Sequence, residues 1–143
     1  MSVAKPEGLR VVLDTNVYFS AFSSTRGVPF ELWRRAMERE YALLVSPALL
    51  RELAEVLRMD LAWPESEIIA QLKLMVRVAT IVEPNFTPEV IREDPDDDRI
   101  VEGAVAGNAD LIVSGDRHLT RYKVFQGIGI VRPIDFLRTL RAA

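Results

Sequence analysis

Short runs of aliphatic residues alternate with longer segments of helical periodicity along the whole chain. The apolar runs at 9–13, 42–45, 79–82, 111–113 and 128–131 predict five strands. Because segments with helical spacing separate these runs, we expect right-handed crossovers that join the strands into a parallel sheet covered by helices on both faces. The sequence therefore predicts an α/β protein, a three-layer α/β/α sandwich with a central parallel sheet of about five strands.

The segments between the strands predict the helices. They comprise a short helical turn at 17–22, helices at 29–40 and 47–58, a helix that opens at 64–65, a helix from near 97 to 106, and a closing helix at 133–140. Proline suits the first turn of a helix, as at Pro29 and Pro47, and Ser46 is a favourable N-cap. With 143 residues, no repeat and no long linker, the chain is predicted to form a single domain over 1–143.

Composition excludes several classes of protein. The chain has no cysteine, which rules out disulfides, thiolate metal sites and cysteine nucleophiles. No apolar run is long enough to cross a bilayer, and residues 1–8 lack the apolar core of a signal peptide, so we expect no membrane association and a cytoplasmic location. The net charge of −3 counts mildly against a strong non-specific nucleic-acid binder.

Acidic residues follow the predicted strands where a parallel sheet places its sites. Asp14 comes directly after the first strand, and Asp116 follows the fourth strand after Ser114 and Gly115. Open parallel sheets bind ligands beyond the carboxyl ends of their strands. The helix that begins near Asp97 is expected to start at the same edge, which would bring Asp97 and Asp98 to these aspartates.

A helical wheel adds Glu52 to this group. At about 100° per residue, the helix after the second strand has one apolar face, formed by Leu49, Leu50, Leu53, Val56 and Leu57. Glu52 lies at the border of that face, whereas Glu55, Arg51 and Arg58 lie further round toward solvent. Glu52 is therefore the carboxylate of this helix best placed to reach the sheet edge.

Clustered carboxylates repel one another unless a hard cation neutralises them. Mg²⁺ and Mn²⁺ prefer oxygen ligands, and such ions can activate water for phosphodiester hydrolysis. Without four clustered carboxylates the net charge of −3 becomes +1, so the remaining surface is slightly basic. The candidate phosphate contacts on that surface are Arg26, Arg51, Arg117 and Lys123.

Each acidic residue also has a structural interpretation. Asp14 and Asp116 could cap the turns that follow them, Glu52 could be a solvated helix residue, and the acidic run at 93–98 could be an exposed loop with a helix cap. Independent capping explains each residue but not their joint placement, which favours a site. The single histidine, His118, is interpreted as a loop or packing residue, and both tryptophans, Trp33 and Trp63, as packing residues.

Four segments in order resemble the motifs of PIN domains, and within them the VapC-like toxins of prokaryotic toxin–antitoxin systems. They are VLDTNV at 12–17, SPALLREL at 46–53, DPDDDRI at 94–100 and LIVSGD at 111–116, and together the resemblance covers nearly the whole chain. It implies a three-layer fold and a Mg²⁺- or Mn²⁺-dependent endoribonuclease that acts on RNA of single-stranded character.

By position, the resemblance also implies site residues. The acidic site would comprise Asp14, Glu52, Asp97 and Asp116, with Asp98 as an additional metal-binding carboxylate, Asp94 as a weaker candidate, and Asn16 and Ser114 as supporting hydrogen-bonding residues. His118 stands where relatives often carry another acid, which leaves the composition of a second metal site open. Such toxins commonly form homodimers and pair with a small antitoxin protein.

Two other classes stay open at this point. One is an acid-site phosphatase or a phosphoryl-accepting receiver on a similar sheet. Asn16 stands where dehalogenase-type phosphatases need a second aspartate, and Lys123 does not follow a clear apolar strand as a receiver lysine would. The other class is a non-catalytic module that binds RNA or a protein partner without turnover, against which an intact set of acids argues.

Overall fold

A computed structural model describes residues 8–83 and 95–142, without the side chains of 95–98. Its described part contains a six-stranded sheet in the order β3-β2-β1-β4-β6-β5. The strands are β1 (Arg10–Leu13), β2 (Ala42–Val45), β3 (Thr80–Ile81), β4 (Leu111–Val113), β5 (Val124–Phe125) and β6 (Ile128–Val131). The helices are α1 (Thr15–Ser23), α2 (Val28–Met37), α3 (Pro47–Glu55), α4 (Glu65–Val78), α5 (Pro95–Ala106), α6 (Arg117–Thr120) and α7 (Pro133–Arg141), and a π-helical turn (Val56–Asp60) extends α3.

Strand β1 lies at the centre of the sheet and pairs in parallel on both sides. Val12 is opposite Leu44 of β2 and opposite Ile112 of β4. The chain adds β2 and β3 on one side of β1 and then crosses to the other side for β4 and β6. The direction of strand addition therefore reverses between β1 and β4, and the crevice beyond their carboxyl ends is where such sheets bind ligands.

The central strands are buried on both faces of the sheet. Val11, Leu13, Ile112 and Val113 are each 0% exposed, which explains why their segments are continuous apolar runs rather than alternating ones. Helices flank the sheet, and the predicted α/β/α fold with a central parallel sheet is confirmed.

Helix α5 runs antiparallel to β1. Just after its C-terminus, the Gly107 carbonyl accepts a hydrogen bond of 2.9 Å from Nε of Arg10, at the start of β1. Further back in α5, Gly103 lies against Ser46, which directly follows β2. The first turn of α5 is therefore directed toward the carboxyl edge of the sheet, as the sequence predicts for the helix that carries Asp97 and Asp98.

Local differences from the prediction arise where the sequence carries little periodicity. The sheet has a sixth, antiparallel strand because Gln126 and Gly127, with φ of 49° and 80°, form a tight turn between β5 and β6. The two residues of β5 are too few for an alternating pattern. Likewise α6 has only four residues, α5 begins at Pro95 rather than near Asp97, and α3 ends at Glu55, where the π-helical turn begins.

Among the helices of the described ranges, none is both long and apolar enough to cross a membrane.

The hydroxyls of two buried tyrosines, Tyr41 and Tyr18, differ in whether they form a hydrogen bond. The Tyr41 hydroxyl donates to the carbonyl of Leu32 at 2.5 Å, whereas the Tyr18 hydroxyl has no partner among the described residues. Burial raises the pKa of both phenols, so both stay protonated at neutral pH.

We expect Tyr18→Phe and Tyr41→Phe to change stability in different directions. Tyr41→Phe leaves a buried carbonyl unpaired and should lower the free energy of unfolding by about 1–3 kcal/mol. Tyr18→Phe removes a buried hydroxyl that lacks a partner and should leave stability unchanged or raise it by about 1 kcal/mol. Urea denaturation of both variants measures this. An equal loss in both would contradict the assigned hydrogen bond.

Gly103, in the C-terminal half of α5, and Gly107, just after the helix, provide a second stability test. A Cβ at Gly107 would lie 2.9 Å from side-chain carbons of Leu44 and Val82, whereas a Cβ at Gly103 would have only contacts of 3.9 Å or more. Gly107→Ala should therefore cost about 1–3 kcal/mol through overpacking. Gly103→Ala, the matched control, should be neutral or stabilise the helix by up to about 1 kcal/mol. Thermal denaturation of the pair shows whether close packing or helix propensity dominates.

Candidate acidic site at the carboxyl edge of the sheet

Asp14 ends β1 and caps α1 with its buried carboxylate, which is 6% exposed. Its Oδ1 accepts from the backbone N–H of Thr15 at 2.7 Å. Its Oδ2 accepts from Oγ of Ser114 at 2.7 Å and from Nδ2 of Asn16 at 3.0 Å. A buried carboxylate with these donors is both stabilised and fixed in direction.

Ser114 is the centre of this network. It is 0% exposed and follows β4 directly. Its hydroxyl donates to Asp14 and accepts from the backbone N–H of Asp116 at 3.0 Å and from Nδ2 of Asn16 at 3.3 Å. One proton and two lone pairs are the full capacity of a hydroxyl, so the Ser114 hydroxyl has a single satisfied orientation.

Asn16 also links the chain after β1 to the loop after β4. Its Nδ2 donates to Asp14, while its Oδ1 accepts from the backbone N–H of Gly115 at 2.9 Å. The backbone continues the connection, because the N–H of Asp14 donates to the carbonyl of Val113 at 2.9 Å. The loops that follow β1 and β4 are therefore held together at the point where strand order reverses.

Asp116 caps α6 and borders an open cleft. Its Oδ1 accepts from the backbone N–H of His118 at 2.8 Å, and no described residue donates to its Oδ2. The cleft has a volume of about 440 Å³ and is lined by Asn16, Val17, Ser20, Pro29, Gly115, Asp116 and Pro133. Asp116 thus has one oxygen used in capping α6 and one without a donor among the described residues, and the residue itself lines the cleft.

Glu52 lies on α3, the helix that follows β2. The Ser46 hydroxyl accepts from the backbone N–H of Leu49 at 3.1 Å, so α3 starts at the carboxyl end of β2. Glu52 is half-buried, while Arg51 and Glu55 beside it are exposed. Within the described side chains, no three histidine or acidic residues lie close enough together to hold a metal ion. The predicted Asp97 and Asp98 side chains, and Asp94, lie outside the described residues.

Comparison with known proteins decides the family. The family model described as a PIN domain matches residues 10–118. The chain belongs to the PIN-domain family. An uncharacterized protein of Methanocaldococcus jannaschii, MJ1680, is 32% identical over 116 residues, which are 78% of this chain and 73% of that protein.

Two solved structures share the PIN fold of this chain. One is VapBC2 from Rickettsia felis bound to a DNA fragment from their promoter, with a TM-score of 0.61 and 14% identity over 87% of this chain and 98% of that one. The other is PAE2754 from Pyrobaculum aerophilum, with a TM-score of 0.58 and 18% identity over 96% and 92%. At these identities the likeness shows the fold.

The structure of this PIN domain brings together Asp14, Asn16, Ser114 and Asp116. The four cations predicted to contact phosphate are all exposed, and none of them lines the cleft: Arg26 lies between α1 and α2, Arg51 in α3, Arg117 at the start of α6, and Lys123 just before β5. His118 is exposed, so it is not a packing residue. Trp33 and Trp63 pack on Phe22, with ring centroids 5.5 Å and 5.3 Å away, as interpreted from the sequence.

Sequence reasoning missed the walls of the cleft. Ser20, Pro29 and Pro133 come from three different helices, and no local pattern relates them. A partial signal exists, because both prolines mark helix starts, and helices in such folds begin at the carboxyl edge of the sheet.

We expect Ser114→Ala to lower the free energy of unfolding of the PIN domain by about 1–3 kcal/mol, because it leaves buried polar groups of Asp14 and Asp116 without their partner. Ser66→Ala, at an exposed position of α4, is the matched control and should have little effect. Chemical denaturation monitored by tryptophan fluorescence measures both. Equal stabilities of the two variants would show that the hydroxyl is not a junction of the network.

Proposed function

We propose that this PIN domain is a metal-dependent endoribonuclease that hydrolyses phosphodiester bonds of RNA, as the toxin of a toxin–antitoxin pair. The observation that carries the proposal is the placement of Asp14 and Asp116 after the two strands at which strand order reverses, with Asp116 lining an open cleft. Membership of the PIN family supports a nuclease, which is a hydrolase.

The donors at this edge suit a hard divalent cation. They are carboxylate oxygens, without thiolates, and Mg²⁺ and Mn²⁺ prefer such ligands. We assign the binding of Mg²⁺ or Mn²⁺ to Asp14 and Asp116 together with Glu52, Asp97 and Asp98. When bound, the metal would supply an activated water and stabilise negative charge that develops at the phosphate.

The side chains of the chain itself prepare the site for that chemistry. Ser114 and Asn16 hold the Asp14 carboxylate in one orientation, so no rotamer entropy is lost when it binds a cation. The cap of α6 fixes Asp116 through one oxygen, and no described residue donates to the other. Arg26, Arg51, Arg117 and Lys123 are proposed to contact phosphates outside the cleft, since all four are exposed.

The proposal includes a protein partner. The fold is shared with VapBC2 of Rickettsia felis, which was solved bound to a DNA fragment from their promoter. This likeness supports a small antitoxin protein as partner for the present chain. A homodimer and a cytoplasmic location are further parts of the proposal, in keeping with the VapC-like resemblance of the sequence.

Cleavage of a labelled single-stranded RNA tests the activity. We expect cutting in Mg²⁺ or Mn²⁺ that stops in EDTA, and a loss of at least about 100-fold in Asp14→Asn and in Asp116→Asn, because each removes a charged metal ligand. The matched control is Asp110→Asn. Asp110 lies at the amino end of β4, where its Oδ2 accepts from the backbone N–H of Arg10 at 2.8 Å, far along the strand from the site.

Full cleavage by a folded Asp14→Asn preparation would remove the proposed site. RNA binding without cleavage in either metal would favour the non-catalytic binding module instead. Loss of cleavage in Asp110→Asn as well would indicate a general effect of carboxylate removal on folding, which circular dichroism of the variants separates from a specific loss.

A further inference from the structure

The cleft beside Asp116 has walls from three helices. Val17 and Ser20 come from α1, Pro29 from the first turn of α2, and Pro133 from the first residue of α7. Tyr41 connects the last two helices, because its hydroxyl donates to Leu32 of α2 and its ring packs on Phe136 of α7 with centroids 4.9 Å apart. The cleft is therefore formed by the folded core rather than by a mobile loop.

The lining of this cleft is almost uncharged. Among the residues that line it, Asp116 is the single ionisable one, and Val17, Pro29 and Pro133 are apolar. Both ends of the Asn16 amide are used within the acidic network. The Ser20 hydroxyl is exposed and has no hydrogen-bond partner within the described ranges.

This lining discriminates between the parts of a nucleotide. Apart from a metal bound at Asp116, which would hold the scissile phosphodiester, the lining offers a phosphate no cation. A nucleobase has apolar faces and a polar edge, and it would meet two proline rings and a free hydroxyl. The volume of about 440 Å³ is at the lower end of the range for small-molecule sites and suits one nucleoside-sized group.

On the basis of the proposed nuclease function, we infer that this cleft binds one unpaired nucleobase of the RNA, adjacent to the phosphodiester at Asp116, and that Ser20 contacts the edge of that base. A base can enter only after it leaves a helical stack, so the cleft selects single-stranded segments. A hydroxyl both donates and accepts, so Ser20 accommodates more than one kind of base. Ser20 is thus a base-contacting residue with little preference among bases, outside the acidic network.

Binding is tested first without any metal, so that it does not depend on cleavage. Nuclear magnetic resonance of the ¹⁵N-labelled protein is recorded with each of the four 5′-mononucleotides, and with ribose 5-phosphate as a probe that carries the phosphate but no base. We expect mononucleotides to shift the amide signals of Asn16, Ser20 and Gly115, and ribose 5-phosphate to leave them in place. Equal shifts with ribose 5-phosphate, or no shifts at these amides with any mononucleotide, would overturn the inference.

A cleft-filling variant tests the role in turnover. Ser20→Phe adds a ring at an exposed position that lines the cleft, and Ser23→Phe adds the same ring at an exposed position of the same helix that does not line it. We expect Ser20→Phe to lose the nucleotide shifts and to lower kcat/KM for single-stranded RNA by about tenfold or more. Ser23→Phe should keep both.

The two proposals fail in distinguishable ways. Nucleotide shifts at the cleft in a protein that never cleaves RNA would contradict the nuclease and retain the base site. Metal-dependent cleavage that Ser20→Phe leaves unchanged would retain the nuclease and overturn the base site. A peptide that competes for the cleft amides while mononucleotides do not would assign the cleft to a protein partner and would also overturn the inference.

Discussion

The buried carboxylate of Asp14 is the interaction on which the rest of the site depends. A carboxylate removed from water is costly unless donors replace its hydration, and here the donors come from both sides of the sheet's central seam. Thr15 and Asn16 belong to the first turn of α1, which follows β1 and Asp14, and Ser114 belongs to the loop after β4. Satisfying one charge thereby fixes the relative position of two loops that are 100 residues apart in sequence.

That arrangement relies on the rigidity of the strands beneath it. β1 pairs with β2 and β4 over adjacent residues, and its side chains are buried between helices on both faces. A shift of register by one residue would move Asp14 away from Ser114 and expose the apolar side chains of β1, so the core and the network enforce the same alignment. Packing of the strands therefore fixes the positions of Asp14 and Ser114, and the polar network fixes the orientation of the Asp14 carboxylate.

The sequence predicts those parts of the molecule whose signals are local. Asp14 and Asp116 can be predicted because Asp14 directly follows one buried apolar run and Asp116 comes soon after another. Glu52 is predicted from a helical wheel that places it at the border of an apolar face, and it is half-buried in the structure. Strand β5 and helix α6 are too short for any period to show. No local sequence pattern predicts the cleft, because Ser20, Pro29 and Pro133 become neighbours only through the packing of α1, α2 and α7.

The short strands at the two sides of the sheet have a further consequence, which concerns pairing between molecules. In the described part of the chain, both outermost strands are only two residues long: β3 on one side and β5 on the other. Each carries an exposed aliphatic side chain, Ile81 at 40% and Val124 at 60%. The long apolar strands that could template cross-molecular β-pairing are all interior, and each edge offers too short a row of backbone groups to extend the sheet into a neighbouring molecule. The short edge strands thus limit backbone pairing between molecules along either side of the described sheet, while its carboxyl edge carries the acidic network.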